Sequence, residues 1–163
     1  MIGKRRSKVA TMQLTVELDA DTESLATADK AVGEFAESMS WPQEATFKVK
    51  LVLEEILMNV ISHGGDGTHK PHIRLDLSQQ KDLVSMEISD DGIAYDPLTA
   101  QAPDLESDLE DRPIGGLGVY LIRELMDSVS YRFKDGRNHL LVTKTLVQTG
   151  ISAPAGCNPD PTA

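Results

Sequence analysis

The chain has 163 residues, of which 40% are apolar and 26% charged, and its 26 acidic against 16 basic side chains leave a net charge of −10. That length and balance fit one soluble domain with a full core. The acidity argues against nucleic acid as the main partner, because phosphate backbones need a basic surface, and it suits a basic protein partner or merely solubility.

Residues 1–10 read as a basic arm outside the fold. Over 12–18, Met12, Leu14, Val16 and Leu18 alternate with polar residues, the period of a half-buried strand. Asp19, Asp21 and Thr22 offer caps for a helix to about Met39, with Leu25, Ala28, Val32, Phe35 and Ala36 as its apolar stripe. Trp41-Pro42 breaks the chain, and a second helix is expected over 43–62 with Val49, Leu53, Ile56, Leu57, Val60 and Ile61 on one face. His63-Gly64-Gly65 ends it, with glycine where a C-cap favours one. Two strands, 73–77 and 83–89, follow, joined by a turn over 78–82.

From Asp90 some 25 residues carry little periodicity and hold three prolines and a cluster of acids, a length that marks a functional or disordered loop. Gly115-Gly116-Leu117-Gly118 then opens a helix to about Met126, and strands over 129–133 and 139–146 close a hairpin around Asp135-Gly136. The order predicts an α+β two-layer sandwich, with helices on one face of a mainly antiparallel sheet. The domain is expected over 11–148, and the Pro-, Gly- and Ser-rich tail 149–163, which carries the single cysteine Cys157, reads as disordered. No apolar run approaches the roughly 20 residues of a membrane span, and no signal peptide is read at the start, so a cytoplasmic protein is expected.

Three sites carry candidate chemistry. Glu55, Asn59 and His63 recur every four residues on the second helix, a stripe read as lying roughly opposite Leu53, Leu57 and Val60. A carboxylate can accept a proton and an amide oxygen can ligate Mg2+, although a plain polar face has the same pattern. Glu54, four residues past Lys50, is expected to pair with it. Asp90-Asp91-Gly92 follows an apolar strand: an Asp there can accept from a ligand amino group and Gly92 permits close approach, but Asp-Gly also makes simple turns. Gly115, Gly116 and Gly118 at a helix start suit an anion, or a hinge.

In this order the three sites resemble the GHKL (Bergerat-fold) ATPase superfamily and, within it, the bacterial anti-sigma-factor serine/threonine kinases, over roughly residues 11–147. The residues that carry the likeness are Glu55 to Gly64, Asp90 to Pro97, and Gly115 to Ile122 followed by Met126-Asp127. The resemblance implies binding of ATP and Mg2+, with Asn59 holding the metal, Glu55 as general base and Asp90 on the adenine amino group. Gly92 would lie against the base, and His63 and Leu117 would belong to the nucleotide site. Residues 98–113 would form a lid over the nucleotide, and Gly115, Gly116 and Gly118 would present amides to the phosphates. Arg112 would reach a phosphate or the partner. Ala94 stands where many relatives have glycine, which would stiffen the adenine loop.

The resemblance further implies partner switching. The chain would phosphorylate a Ser or Thr of a small antagonist protein and sequester a sigma factor or another regulator, and the family's habit is a homodimer. An ATP-gated binding module without transfer is the alternative. A histidine-kinase catalytic domain fits poorly, because only about 40 residues precede the helix with Glu55 and they begin with a strand.

Overall fold

The computed structural model describes residues 11–99 and 117–146. One sheet contains β1 (Met12–Asp19), β2 (His72–Gln80), β3 (Leu83–Asp90), β4 (Ser128–Lys134) and β5 (Arg137–Thr145), in the order β1-β2-β3-β5-β4. Every neighbouring pair is antiparallel. The helices α1 (Thr22–Ser38), α2 (Gln43–His63) and α3 (Leu117–Leu125) cover one face, which is the expected α+β sandwich. The expected arm and tail, most of the lid, and Arg112, Gly115 and Gly116 lie outside the described residues.

Side-chain period explains the layers. Ile73, Leu75 and Leu77 of β2, Val84, Met86 and Ile88 of β3, and Leu140 and Val142 of β5 point inward and are buried. They meet Val49, Val52, Leu53, Ile56 and Leu57 of α2 in one core cluster, and each such burial contributes about 1.5–3 kcal/mol. The outer face of the sheet is polar instead. Arg74 bridges Glu17 and Asp76, and Glu87 accepts from both Arg132 and His139.

Local chemistry sets the ends of the elements. Asp21 caps α1, its Oδ1 accepting from the Ser24 N–H at 2.9 Å. Trp41 does more than break the chain. Its ring packs edge-on against Phe35 at 5.9 Å, and its Nε1–H donates to Gln79 Oε1 at 2.6 Å, so it pins the corner between α1 and α2 to β2. The β2–β3 turn is tighter than expected, with Lys81 at φ 55°, and both strands are longer. The β4–β5 turn has Asp135 at φ 53° and Gly136 at φ 74°, the paired positive angles that Asp-Gly favours.

Three expectations need correction. The stripe of Glu55, Asn59 and His63 is not opposite the packed face. Asn59 and His63 share a cleft with Ile56 and Val60, and the solvent face of α2 carries Phe47, Glu54 and Met58. Lys50 pairs with Asp29 of α1 at 2.7 Å rather than with Glu54, because α1 lies alongside. Gly64 follows α2 at φ −75°, so no left-handed cap demands glycine; a Cβ there would instead sit 2.6 Å from the Val60 carbonyl.

Candidate functional site

A shallow cleft opens between α2 and the sheet. Its floor is apolar, built from Ile56 and Val60 of α2, Ile88 of β3 and Leu140 of β5, and its polar groups are few: Asn59, His63, Asp90, Tyr131 and Asn138. An apolar slot with a few fixed polar groups suits a flat heterocycle.

Asp90, the last residue of β3, is buried at 5% exposure. Its Oδ1 accepts from the Gly92 N–H and from Asn138 Nδ2–H, both at 2.9 Å. Burial pushes its carboxyl above the ordinary value, against the pull of those two hydrogen bonds and of the Arg137 charge. Asp91 turns away from the cleft. Its Oδ1 accepts from the His72 N–H at 2.7 Å and lies 3.2 Å from His69 Nε2, which holds the loop after β3 to the start of β2.

Gly92 is required by close approach. A Cβ on it would lie 2.5 Å from the Gly64 carbonyl oxygen and 2.9 Å from Asp90 Oδ1. The same Gly64 oxygen accepts from the Ile93 N–H at 2.8 Å, so the end of α2 and the loop after β3 are stitched together. Ala94 is exposed and does not line the cleft, whereas Tyr95 and Pro97 do.

Glu55 and Asn59, one turn apart on α2, are half-buried, and His63 is exposed at the rim. The Glu55 carboxylate lies against α3: a Cβ on Gly118 would meet Glu55 Oε2 at 2.5 Å. Gly118 is in the first turn of α3, where backbone N–H groups have no helical partner and the helix dipole favours an anion. Leu117 is the first residue of that helix. Further along, Arg123 Nη2 donates to the Leu98 carbonyl at 2.8 Å, tying α3 to the segment after Pro97.

Mg2+ fits the donors on α2. The amide oxygen of Asn59 and the carboxylate of Glu55 are hard oxygen ligands, and among the described residues no three His, Cys, Asp or Glu side chains gather to hold an ion alone. An ion carried on phosphate oxygens, with one or two protein ligands, is the arrangement Mg2+ usually takes.

Asn138 and Tyr131 escaped the sequence reading, and Tyr95 entered it only within the stretch Asp90 to Pro97, without a role. Asn138 stands only two residues past a turn glycine, and its place opposite Asp90 follows from strand register. The available signal was an asparagine at an inward-facing strand position, where amides are disfavoured.

Residues 18–144 match the histidine kinase-like ATPase domain. The serine/threonine-protein kinase BtrW of Bordetella bronchiseptica is 36% identical over 137 residues, 84% of this chain and 94% of that protein. The serine-protein kinase RsbW of Listeria monocytogenes is 28% identical over 134 residues, covering 78% and 85%. The anti-sigma F factor of Clostridium beijerinckii is 25% identical over 139 residues, covering 81% and 92%. A crystal structure of the RsbU and RsbW domains of Rv1364c from Mycobacterium tuberculosis has a TM-score of 0.60 at 15% identity, over 83% of this chain and 32% of that longer one, a likeness of fold alone. No described helix is long and apolar enough to cross a membrane.

Proposed function

This chain belongs to the histidine kinase-like ATPase domain family, with serine/threonine-protein kinases among its relatives, and on that premise we propose that it is an ATP-dependent protein kinase of the anti-sigma-factor type. It transfers the γ-phosphoryl group of ATP to a Ser or Thr of a small antagonist protein. It also sequesters a sigma factor or a similar regulator, which the unphosphorylated antagonist competes to release.

The observation that carries this reading is the Glu55 carboxylate lying against Gly118 of α3, one helical turn from Asn59, which lines the same cleft as the buried Asp90. One end offers a proton acceptor beside an anion site, and the other an acceptor for an amino group. Adenine enters the apolar slot with its amino group donating to Asp90. Asn59 would hold Mg2+, and the ion would supply the charge that offsets the phosphates during transfer. Glu55 accepts the hydroxyl proton as the Ser or Thr oxygen bonds to the γ-phosphorus and the bond to the bridging oxygen breaks, releasing ADP.

The test is transfer itself. Purified chain, ATP labelled at the γ-phosphate and a candidate antagonist encoded beside it should yield phosphate on one Ser or Thr, and Asn59→Ala should lose the Mg2+-dependent part of ATP affinity. ATP that binds and orders the protein with no transfer to any candidate would move the assignment to an ATP-gated binding module.

A further inference from the structure

The sheet order sets β5 beside β3, and the register places Asn138 opposite Asp90 although 48 positions separate them. Asn138 is 7% exposed, and its amide is fully engaged. Nδ2 donates to Asp90 Oδ1 at 2.9 Å and to the Ile93 carbonyl at 3.0 Å. Oδ1 accepts from the Tyr131 hydroxyl at 2.7 Å and from the Tyr95 N–H at 3.2 Å. Two donors and two acceptor positions are all the amide has. A flipped amide would set its NH2 against the Tyr95 N–H, so the orientation is fixed by its neighbours.

We propose that Asn138 is the positioning residue of the base site: it holds the Asp90 carboxylate in the orientation that selects a base with an exocyclic amino group. The proposal rests on Asp90 being the base acceptor, as set out above. A carboxylate on its last torsion has a broad, two-fold rotational well. The Gly92 N–H alone is a bond from the adjoining turn, and a second donor from another strand removes the remaining freedom. Both bonds fall on Oδ1, which leaves Oδ2 to accept from the ligand. The bonds from Asn138 to Ile93 and Tyr95 fix the first residues of the connection to Pro97, and Arg123 holds that connection on α3 through Leu98. One amide thus joins Asp90 to the segment from Ile93 to Tyr95.

The experiment compares affinities for ATP and for purine riboside triphosphate, which lacks only the 6-amino group, each measured with Mg2+ on the full chain. The wild type should prefer ATP. Asn138→Ala should lower that preference about tenfold, the worth of a hydrogen bond to a charged group. Asn138→Thr, which keeps one donor and one acceptor, should recover part of it. Tyr131→Phe removes a bond to Asn138 without touching Asp90 and should lower the ratio less. Thermal melts monitor folding. A purely structural Asn138 would weaken both nucleotides alike, and an unchanged ratio in Asn138→Ala would overturn the inference while leaving the kinase reading intact. Should Asn138→Ala not fold, wild-type ratios in both Asn138→Thr and Tyr131→Phe would overturn it. A wild type that binds the two nucleotides equally would instead remove the role of Asp90, and with it the premise.

Discussion

The two parts of the proposed site, a base end around Asp90 and a phosphate end around Glu55, are built differently. At the base end a buried carboxylate, a buried amide, a tyrosine hydroxyl and three backbone groups form one closed hydrogen-bond network. At the phosphate end Glu55 and Asn59 stand on α2 with α3 beside them, and among the described residues no side chain donates to either. The first end is a mould fixed by strand register. The second is a set of side chains whose geometry depends on how one short helix sits against another. The difference teaches where a substitution will cost fold and base binding and where, as at Glu55, it will cost chemistry.

The largest expected effect is at the phosphate end. Glu55→Gln keeps the shape and removes the proton acceptor, so transfer should fall by about 10²–10⁴ in rate while ATP affinity stays within about twofold. Single-turnover transfer set against nucleotide binding measures both, and normal transfer would remove Glu55 from the mechanism. Gly118→Ala comes next. Its Cβ would meet the end of the flexible Glu55 side chain, which can swing away. Displacing that carboxylate by about an ångström should cost roughly a hundredfold in transfer. Alanine is also the better helix former, so stability should hold or rise by up to about 1 kcal/mol. A Gly118→Ala protein that is destabilised, yet transfers normally, would contradict the contact.

The corresponding change at the base end has the opposite signature. A Cβ on Gly92 meets the Gly64 backbone carbonyl, which is held by the end of α2 and cannot swing away. Gly92→Ala should therefore cost about 1–3 kcal/mol of stability and weaken ATP binding about tenfold, by pushing the loop off Asp90. A thermal melt and a binding isotherm decide it. Equal stability for Gly92→Ala and Gly118→Ala would erase the contrast between the two ends.

What could be read from the sequence follows the same division. Strand and helix periods placed every described strand and α-helix within a few residues, because alternation and the α1 and α2 stripes are local signals, but not the 3-10 turn at Pro97–Thr99. Glu55, Asn59, Asp90, Gly92 and Gly118 could be singled out by short spacings, and their proposed roles came from the family resemblance those stretches carry. Asn138 and Tyr131 could not, because only the β3–β5 and β4–β5 registers bring them to Asp90. The Lys50–Asp29 pair was missed for the same reason. An i,i+4 rule sees one helix and cannot see α1 lying alongside α2. Gly64 shows the reverse error: a local rule explained the right residue for the wrong reason, since steric approach and not a positive φ requires it.

The smallest effect is a pH dependence that separates the cleft from its frame. Burial holds the Asp90 carboxyl above its ordinary 3.8. Its contribution to stability is therefore present at low pH and is lost as pH rises through the folded value. Two carboxylates of the frame behave oppositely. Asp66 is lowered to about 2, first by the Thr68 hydroxyl and then by backbone N–H groups. Asp21 is lowered to about 2, first by Lys70. Both support the fold above 3.8 and lose that support as pH falls towards about 2. Acidification thus protonates Asp90 before it reaches the frame. A neutral carboxyl is the weaker acceptor, by about 1 kcal/mol, so the preference for ATP over purine riboside triphosphate should narrow by about fivefold. The phosphates of the two ligands titrate alike, and each isotherm is referred to the neutral-ring form of its ligand, because the adenine ring takes up a proton in mild acid more readily than purine does; the corrected ratio isolates Asp90. Binding isotherms for both nucleotides at descending pH, with a melt at each point, make the measurement. The ratio should fall while the melt remains cooperative. A ratio that stays flat until the fold itself is lost would mean that Asp90 remains ionised in the cleft, and that the hydrogen bonds from Asn138 and Gly92 outweigh its burial.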